Sequence, residues 1–335
     1  MASTSDNRIP IWLDCDPGQD DLHAIIMAKF HPKLNLLGIS TVHGNTILEN
    51  TFKNASRVLK VCGVSDIKVY AGAPKVNNRP LLREAKNASY IHGVTGLDGS
   101  DLLPEADLSL MQTGVNGIQA MAEAIIAHPE PVVLAAVGPL TNIALLVSTY
   151  PEAKANIREV LLMGGGIAFG NTTPVAEFNV YADPEALQVV LNAGLNRVVM
   201  VPLDCTHQSK YTPEKQQKFT DEISPINANF AKMINDLTNF VRKMYVGFGV
   251  DPNNINWHDA IAVYHCIAPE TFKDVNMYVS TVYGHGVQGE GQTIGDSKGS
   301  TGKAVNCVVA MGMNDDLFFE EMFKAWKLAA ESSIL

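Results

Sequence analysis

Short apolar runs alternate along the chain with longer stretches in which apolar positions recur every three to four residues. Ile9 to Cys15 is an apolar run ending in carboxylates, the pattern of a strand buried on both faces. Pro17 and Gly18 break it, and Asp20-Asp21 open a helical stretch through about Phe30, where acids suit the positive end of a helix dipole. The same reading predicts strands at Leu34–Val42, Ile67–Tyr70, Val132–Val137, Val160–Met163 and Val198–Pro202. It predicts helices at Glu49–Cys62, Asn116–Ala127, Thr141–Tyr150, Pro184–Asn192, Pro225–Tyr245 and Asp259–Ile267. Two late strands, Met277–Val282 and Val305–Met311, and a final helix, Asp316–Ala330, complete the pattern. Between Gly72 and Met111 lies a glycine- and proline-rich stretch of roughly 40 residues, longer than an ordinary connection and of the kind that usually serves function or is disordered. Such alternation predicts an α/β fold: one domain over residues 1–335, an open, mostly parallel (mixed) sheet with helices on both faces, and a disordered start at 1–8.

Composition narrows the possible functions. Of 335 residues 46% are hydrophobic and 18% charged, and 35 acids against 25 lysines and arginines leave a formal charge of −10. That balance disfavours nucleic acid as a partner. No apolar stretch approaches the ~18 residues that suggest a membrane span, and Met1 to Arg8 lacks the apolar core of a signal peptide. The five cysteines (Cys15, Cys62, Cys205, Cys266, Cys307) form no C-x-x-C pair, which suits a reducing compartment and argues against a zinc cluster. The expected place is the cytoplasm, with the nucleus as a second one. Sequons at Asn54, Asn87 and Asn171 are then chance matches.

The chemistry concentrates after the first strand. Asp14-Cys-Asp16-Pro-Gly-Gln-Asp20-Asp21 puts four carboxylates within eight residues, at the end of a strand where open α/β sheets bind ligands. Such anions repel one another unless protons or a cation intervene, and an all-oxygen set favours Ca²⁺ or Mg²⁺ over zinc. Helix capping alone explains one of the acids, not all four. The segment is no EF-hand loop, because Gly18 and Ile25 stand where that loop needs oxygen ligands. D-x-D after a first strand also resembles haloacid-dehalogenase-type Mg²⁺ phosphatases with Asp14 as nucleophile. Pro17-Gly18 departs from their pattern, and Asp20-Asp21 has no task there.

With the rest of the chain added, the sequence resembles the inosine–uridine-preferring nucleoside hydrolases, and within them most resembles the fungal uridine/ribonucleoside hydrolases. The signature D-x-D-P-G-x-D-D stands at Asp14 to Asp21. Further matches follow in order: Gly44-Asn45, His92-Gly93 with Gly96-Leu97-Asp98-Gly99, Gly138-Pro-Leu-Thr-Asn142, Met163-Gly-Gly-Gly166 through Asn171, Ala176-Glu-Phe-Asn179, Asp183-Pro184 and His258-Asp259. The resemblance spans residues 9 to 312 and implies the family's Rossmann-like nucleoside hydrolase fold. It implies hydrolysis of the N-glycosidic bond of ribonucleosides (uridine, and other pyrimidine or purine ribosides) by water that one Ca²⁺ per chain binds and Asp16 activates. Asp16, Asp21, Asp259 and the Val137 carbonyl are the implied metal ligands. Asp20, Asn45 and Asn179 are implied on the 2′- and 3′-hydroxyls, Asn171 and Glu177 on the 5′-hydroxyl, and Met163 under the ribose. His258 is the implied proton donor to the leaving base, with His92 also within reach of it. The family also implies a homodimer or homotetramer.

Several positions carry a second reading. Phe240, Tyr245 and Phe248 fall where the family covers the base, although helical aromatics usually pack in the core; Phe178 is expected to pack beneath the site. His23, His31, His43, His128, His207, His265 and His285 read as surface or packing residues. Gly164, Gly166 and Gly170 are spaced one residue too widely for a dinucleotide fingerprint, so neither NAD nor ATP is expected. Leu22-His23 and Ala260 depart from the family pattern without removing a proposed ligand. A nucleoside-binding protein without turnover is the non-enzymatic alternative.

Overall fold

The computed structural model describes residues 7–74 and 88–335. Its strands in chain order are β1 (Ile9–Cys15), β2 (Leu34–Thr41), β3 (Val69–Ala71), β4 (Met111–Gln112), β5 (Val132–Ala136), β6 (Ile157–Met163), β7 (Val198–Val201), β8 (Phe272–Thr281), β9 (Thr293–Asp296) and β10 (Cys307–Met313). The helices are α1 (Gln19–Phe30), α2 (Leu48–Val61), α3 (Ser89–His92), α4 (Gly117–Ala127), α5 (Thr141–Thr149), α6 (Phe178–Ala182), α7 (Pro184–Leu191), α8 (Leu203–Thr206), α9 (Pro213–Ile223), α10 (Ala228–Gly247), α11 (His258–Ile267) and α12 (Asp315–Ser332).

All ten strands join one sheet in the order β4-β3-β2-β1-β5-β6-β7-β10-β8-β9. Pairing is parallel from β4 across to β10, and β8 runs antiparallel to both β10 and β9. The chain winds outward from β1 in one direction and restarts at β5 in the other. A crevice therefore opens between the carboxyl ends of β1 and β5, the place where an α/β sheet receives its ligand.

Strand alternation sorts the side chains. Ile11, Leu13 and Cys15 of β1 join Val133 and Ala135 of β5 in the core under α1, α11 and α12, while Trp12 joins Leu134 and Ala136 in the core under α4, α5 and α7. Both faces are apolar, which is why these strands read as unbroken hydrophobic runs. Asp14 falls on the Trp12 face. Trp12 Nε1 donates to Ser40 Oγ (3.0 Å), the Ser40 hydroxyl donates to Asp14, and Asn142 Nδ2 donates to Asp14 Oδ1 (2.7 Å). Almost the whole of α1 is buried, since α11 and α12 pack along it.

The expected α/β plan holds, with differences in detail. The expected strand at 277–282 begins five residues earlier, and the late strand expected at 305–311 is Cys307–Met313. The helix expected from Pro225 starts at Ala228, capped by the Asn227 side chain. Helix α9 was not expected; it buries only Phe219 and Ile223, too few apolar positions to set a clear period. Residues 1–6 of the expected disordered start, the sequon at Asn87, and residues 75–87 of the long loop lie outside the described residues.

Candidate active site

A cavity of about 420 Å³ occupies the crevice. Asp16 and Asp20 follow β1 into it, Val137 follows β5 there, Met163 ends β6 there, and His258-Asp259 enter from the first turn of α11. Carboxylate oxygens of Asp20, Asp21 and Asp259 converge within 4.8 Å of one another. Asp21 holds its turn together: it accepts from the backbone N–H groups of Asp16 (3.0 Å) and Gly18 (2.9 Å). Asn45 clips the acids from β2's side, donating its backbone N–H to Asp16 Oδ2 (2.7 Å) and its amide to the Asp16 carbonyl and Asp21 Oδ2.

The Asp16 carboxylate is wedged between two chain segments that carry no side chain. A Cβ at Gly44 would stand 1.9 Å from Asp16 Oδ2, and one at Gly138 would stand 2.5 Å from Oδ1. Both glycines are therefore needed for close approach rather than for backbone conformation.

Burial raises every acid in the cluster. Asp16 and Asp259 are pushed well above the carboxylate range, by burial first and then by neighbouring carboxylates; Asp20 and Asp21 rise to about 6, again chiefly through burial. Asp20 Oδ1 is buried with no hydrogen-bond partner among the described residues. An orphaned carboxylate oxygen amid repelling anions, in a group of three carboxylates that can each turn an oxygen to one place, fits a hard divalent cation. The Val137 carbonyl accepts from Asn179 Nδ2 (2.9 Å), which uses one of its two lone pairs.

Neutral polar groups and one further acid line the next stretch of wall. Glu177 caps α6, taking N–H groups from Asn179 (2.8 Å), Gly165 (2.8 Å) and Val180 (3.1 Å), while burial lifts it to about 7 against those bonds. Asn179 also donates to the Met163 carbonyl (3.2 Å), and Asn171 Oδ1 accepts from Phe178 N (2.9 Å). Phe178 itself faces the cavity.

The far end of the cavity is aromatic. His258 Nδ1 meets Thr206 Oγ at 2.6 Å, and burial, then His207 and His92, push the ring well below the ordinary histidine value. His92 is held by Gln19, whose Oε1 lies 2.7 Å from Nδ1 and whose amide grips the carbonyls of His92 and Asp98. Tyr90 of α3 and Phe248 beyond α10 meet edge to face, ring centres 5.4 Å apart, as part of the same wall.

The residues singled out from sequence thus line one cavity or, like Asp21, lie behind its lining, but the carboxylates that converge are Asp20, Asp21 and Asp259, with the implied ligand Asp16 outside that group. Tyr245 and Phe248 line the cavity, against the usual core packing of helical aromatics, whereas Phe240 does not line it and packs against Gly99. His207, expected at the surface or in packing, lines the cavity beside His258, ring centres 5.4 Å apart. Gln19, Tyr90, Val241, Asn256 and Trp257 were missed. Gln19, inside the Asp14–Asp21 signature, and Trp257, adjoining His258-Asp259, carried a local signal. Asp14, the nucleophile of the phosphatase alternative, is 1% exposed, bonded to Ser40 and Asn142, and outside the cavity lining, so that reading loses its reacting group.

By fold and pocket alone, the chain is an α/β protein with converging carboxylates beside a cavity sized for a small ligand. Similarity to known proteins narrows the class. The inosine-uridine preferring nucleoside hydrolase family model matches residues 11–320. The chain is 41% identical over 272 residues to an uncharacterized protein of Schizosaccharomyces pombe, covering 81% of this chain and 79% of that one. It is 38% identical to the pyrimidine-specific ribonucleoside hydrolase RihA of Shewanella sp. (strain MR-7), covering 93% and 94%. The purine-preferring ribonucleoside hydrolase from Gardnerella vaginalis superposes with a TM-score of 0.86 at 25% identity, covering 96% and 99%. The chain belongs to the inosine-uridine preferring nucleoside hydrolase family and is a nucleoside hydrolase.

Proposed function

We propose that the protein hydrolyses the N-glycosidic bond of ribonucleosides, uridine among them, to ribose and free base, with one Ca²⁺ at the acidic cluster. The carrying observation is the convergence of Asp20, Asp21 and Asp259, with a buried, unpartnered Asp20 oxygen, on the floor of a cavity large enough for a small ligand. Asp16, Asp21, Asp259 and the Val137 carbonyl would hold the cation. When bound, it would neutralise the acids, lower the pKa of water and grip vicinal hydroxyls.

Asp16 is the base. Its Oδ2 is tied to Asn45 while Oδ1 takes no hydrogen bond from the described residues, which leaves one oxygen to receive the proton of an attacking water. Asp20, Asn45 and Asn179 hold the 2′- and 3′-hydroxyls; both amide carbonyl oxygens are without donors among the described residues and can accept. Glu177 has spent three of about four acceptor positions on backbone N–H groups and offers the fourth, with Asn171, to the 5′-hydroxyl. Met163 packs beneath the ring, and Phe178 closes its edge. Fixing each hydroxyl spends binding energy far from the reacting bond on orienting C1′. Charge at C1′ in the oxocarbenium-like transition state is stabilised by the surrounding carboxylates. His258 faces the leaving base and assists its departure, with His92 nearby.

The 38% identity to a relative named pyrimidine-specific favours uridine and cytidine as substrates. All five cysteines are free and buried, which supports a reducing compartment, the cytoplasm. The test is ribose release from uridine, inosine, cytidine and 2′-deoxyuridine, with metal content assayed on the same sample. Ribose from the ribonucleosides alone, with one Ca²⁺ per chain, is expected. Tight binding without turnover would replace the hydrolase reading by a nucleoside-binding one.

A further inference from the structure

Thr206 ends α8, is fully buried, and stays outside the cavity lining. Its backbone is fixed: its N–H donates to the Pro202 carbonyl (3.1 Å), and its carbonyl accepts from Ser209 N and from Asn256 Nδ2 (both 3.2 Å). Asn256 also donates to the Ser209 carbonyl, so one amide clamps this turn to the segment that leads into His258. The Thr206 hydroxyl lies 2.6 Å from His258 Nδ1 and has no other partner among the described residues. His207 packs at 5.4 Å between ring centres, and no hydrogen bond joins the two rings.

A buried hydroxyl must place its hydrogen somewhere, and buried polar groups in native proteins are paired. Two arrangements are open. If Nδ1 carried the ring proton, it would donate to Thr206 Oγ, and the hydroxyl hydrogen would be left buried without an acceptor. If Nδ1 is bare, the hydroxyl donates to it and both groups are satisfied. We propose that Thr206 is a positioning residue: its hydroxyl donates to Nδ1 and holds His258 as the tautomer that carries its proton on Nε2. Nε2 is the ring nitrogen with no partner among the described residues, and His258 lines the cavity. A neutral ring so held presents an N–H to the leaving base instead of a lone pair, which is the orientation that assists departure. This deepens the reading of His258 as the group facing the base and rests on it for its catalytic meaning.

The tautomer can be read without turnover. ¹⁵N NMR of the protein as purified, labelled at the histidine ring nitrogens and assigned by difference from His258→Asn, is expected to show a bare Nδ1 and a protonated Nε2. A protonated Nδ1, or an averaged pair, would overturn the proposal whatever the enzyme hydrolyses. In a second arm, Thr206→Val is expected to average the His258 signals and lower kcat for uridine about tenfold at unchanged KM. The same variant is expected to leave an activated 4-nitrophenyl riboside within about twofold, because nitrophenolate departs without a hydrogen bond from the ring. Thr206→Ser should restore both tautomer and rate. Equal losses on the two substrates, or no rescue by serine, would assign Thr206 to packing and refute the positioning role. Should Thr206→Val fail to fold, the wild-type spectrum still decides. Failure of every riboside to react would sink the hydrolase reading while leaving the spectrum interpretable.

Discussion

Gly44→Ala tests the placement of Asp16 without touching its chemistry. The new methyl group would stand 1.9 Å from Asp16 Oδ2, 2.7 Å from its Cγ and 2.9 Å from Pro139 Cδ. Carbon and oxygen atoms rest at ~3.5 Å, so the carboxylate must retreat by roughly 1.5 Å. Retreat is blocked on the other side, where Gly138 already stands close enough that a Cβ there would lie 2.5 Å from Oδ1. The carboxylate must swing instead, breaking its 2.7 Å bond from Asn45 N. A misplacement of about 1 Å in a reacting group costs on the order of 100-fold in rate, or about 2.7 kcal/mol of barrier. Stability should fall by only about 1–3 kcal/mol, the usual cost of overpacking, within a total of about 5–15 kcal/mol. The assay is kcat/KM for ribose release from uridine, with thermal unfolding followed by circular dichroism on the same preparation. Gly114→Ala is the control, because nothing lies within 4 Å of a Cβ at that position. Folded Gly44→Ala protein retaining more than about a third of wild-type kcat/KM would refute the argument that the two glycines set the Asp16 position.

Cation removal should expose the repulsion it conceals. Asp20 and Asp21 titrate near 6 in the fold, above the ~4 of an unfolded carboxyl, so the folded chain binds more protons across that window. Their contribution is favourable below about pH 4 and is lost as pH rises through about 6, so chelated protein should melt higher at pH 5 than at pH 7. The melting gap between metal-loaded and chelated protein should narrow as pH falls; a gap independent of pH would contradict this. His258→Ala should cost about 100-fold on uridine and far less on an activated aryl riboside, and equal losses would remove it as the group assisting departure. Phe248→Ala removes an edge-to-face contact with Tyr90 worth about 1 kcal/mol, so KM should rise about fivefold with kcat unchanged. A fall in kcat alone would show that the aromatic wall does more than bind.

How much of this was legible from residues alone depends on how local each signal is. The acids of 14–21 announce themselves because four repelling charges within eight residues have few bland explanations, and the apolar run before them places them about a strand's carboxyl end. The parallel sheet was legible because strands buried on both faces read as apolar runs. The task of Asp14 was not: it lies inside β1 while Asp16 lies beyond the strand's end, and only the pairing with β2 brings Ser40 against it. Helix α9 carries a start signal in Thr212-Pro213, a capping side chain followed by proline at the first turn, yet its sparse apolar positions hid the period. His207 gave no sign at all. Its place beside His258 comes from the Asn256 clamp and from the packing of α8 against α11, contacts made across 50 residues of chain.

The two halves of the cavity hang from different kinds of support. Asp16, Val137 and Met163 sit at or just beyond the carboxyl ends of adjacent central strands, whose spacing is fixed by backbone pairing, and Asp20, Asp21 and Asp259 enter on the first turns of α1 and α11. Tyr90, His92, His207, Tyr245 and Phe248 sit on short helices, helix ends and loops that no strand pairing constrains. Substitution in the second group meets little resistance from the sheet, whereas substitution in the first disturbs residues that the sheet itself holds in place. On the proposed reading, single changes in those peripheral segments should retune the preference for a base while leaving the acidic cluster and its frame in place.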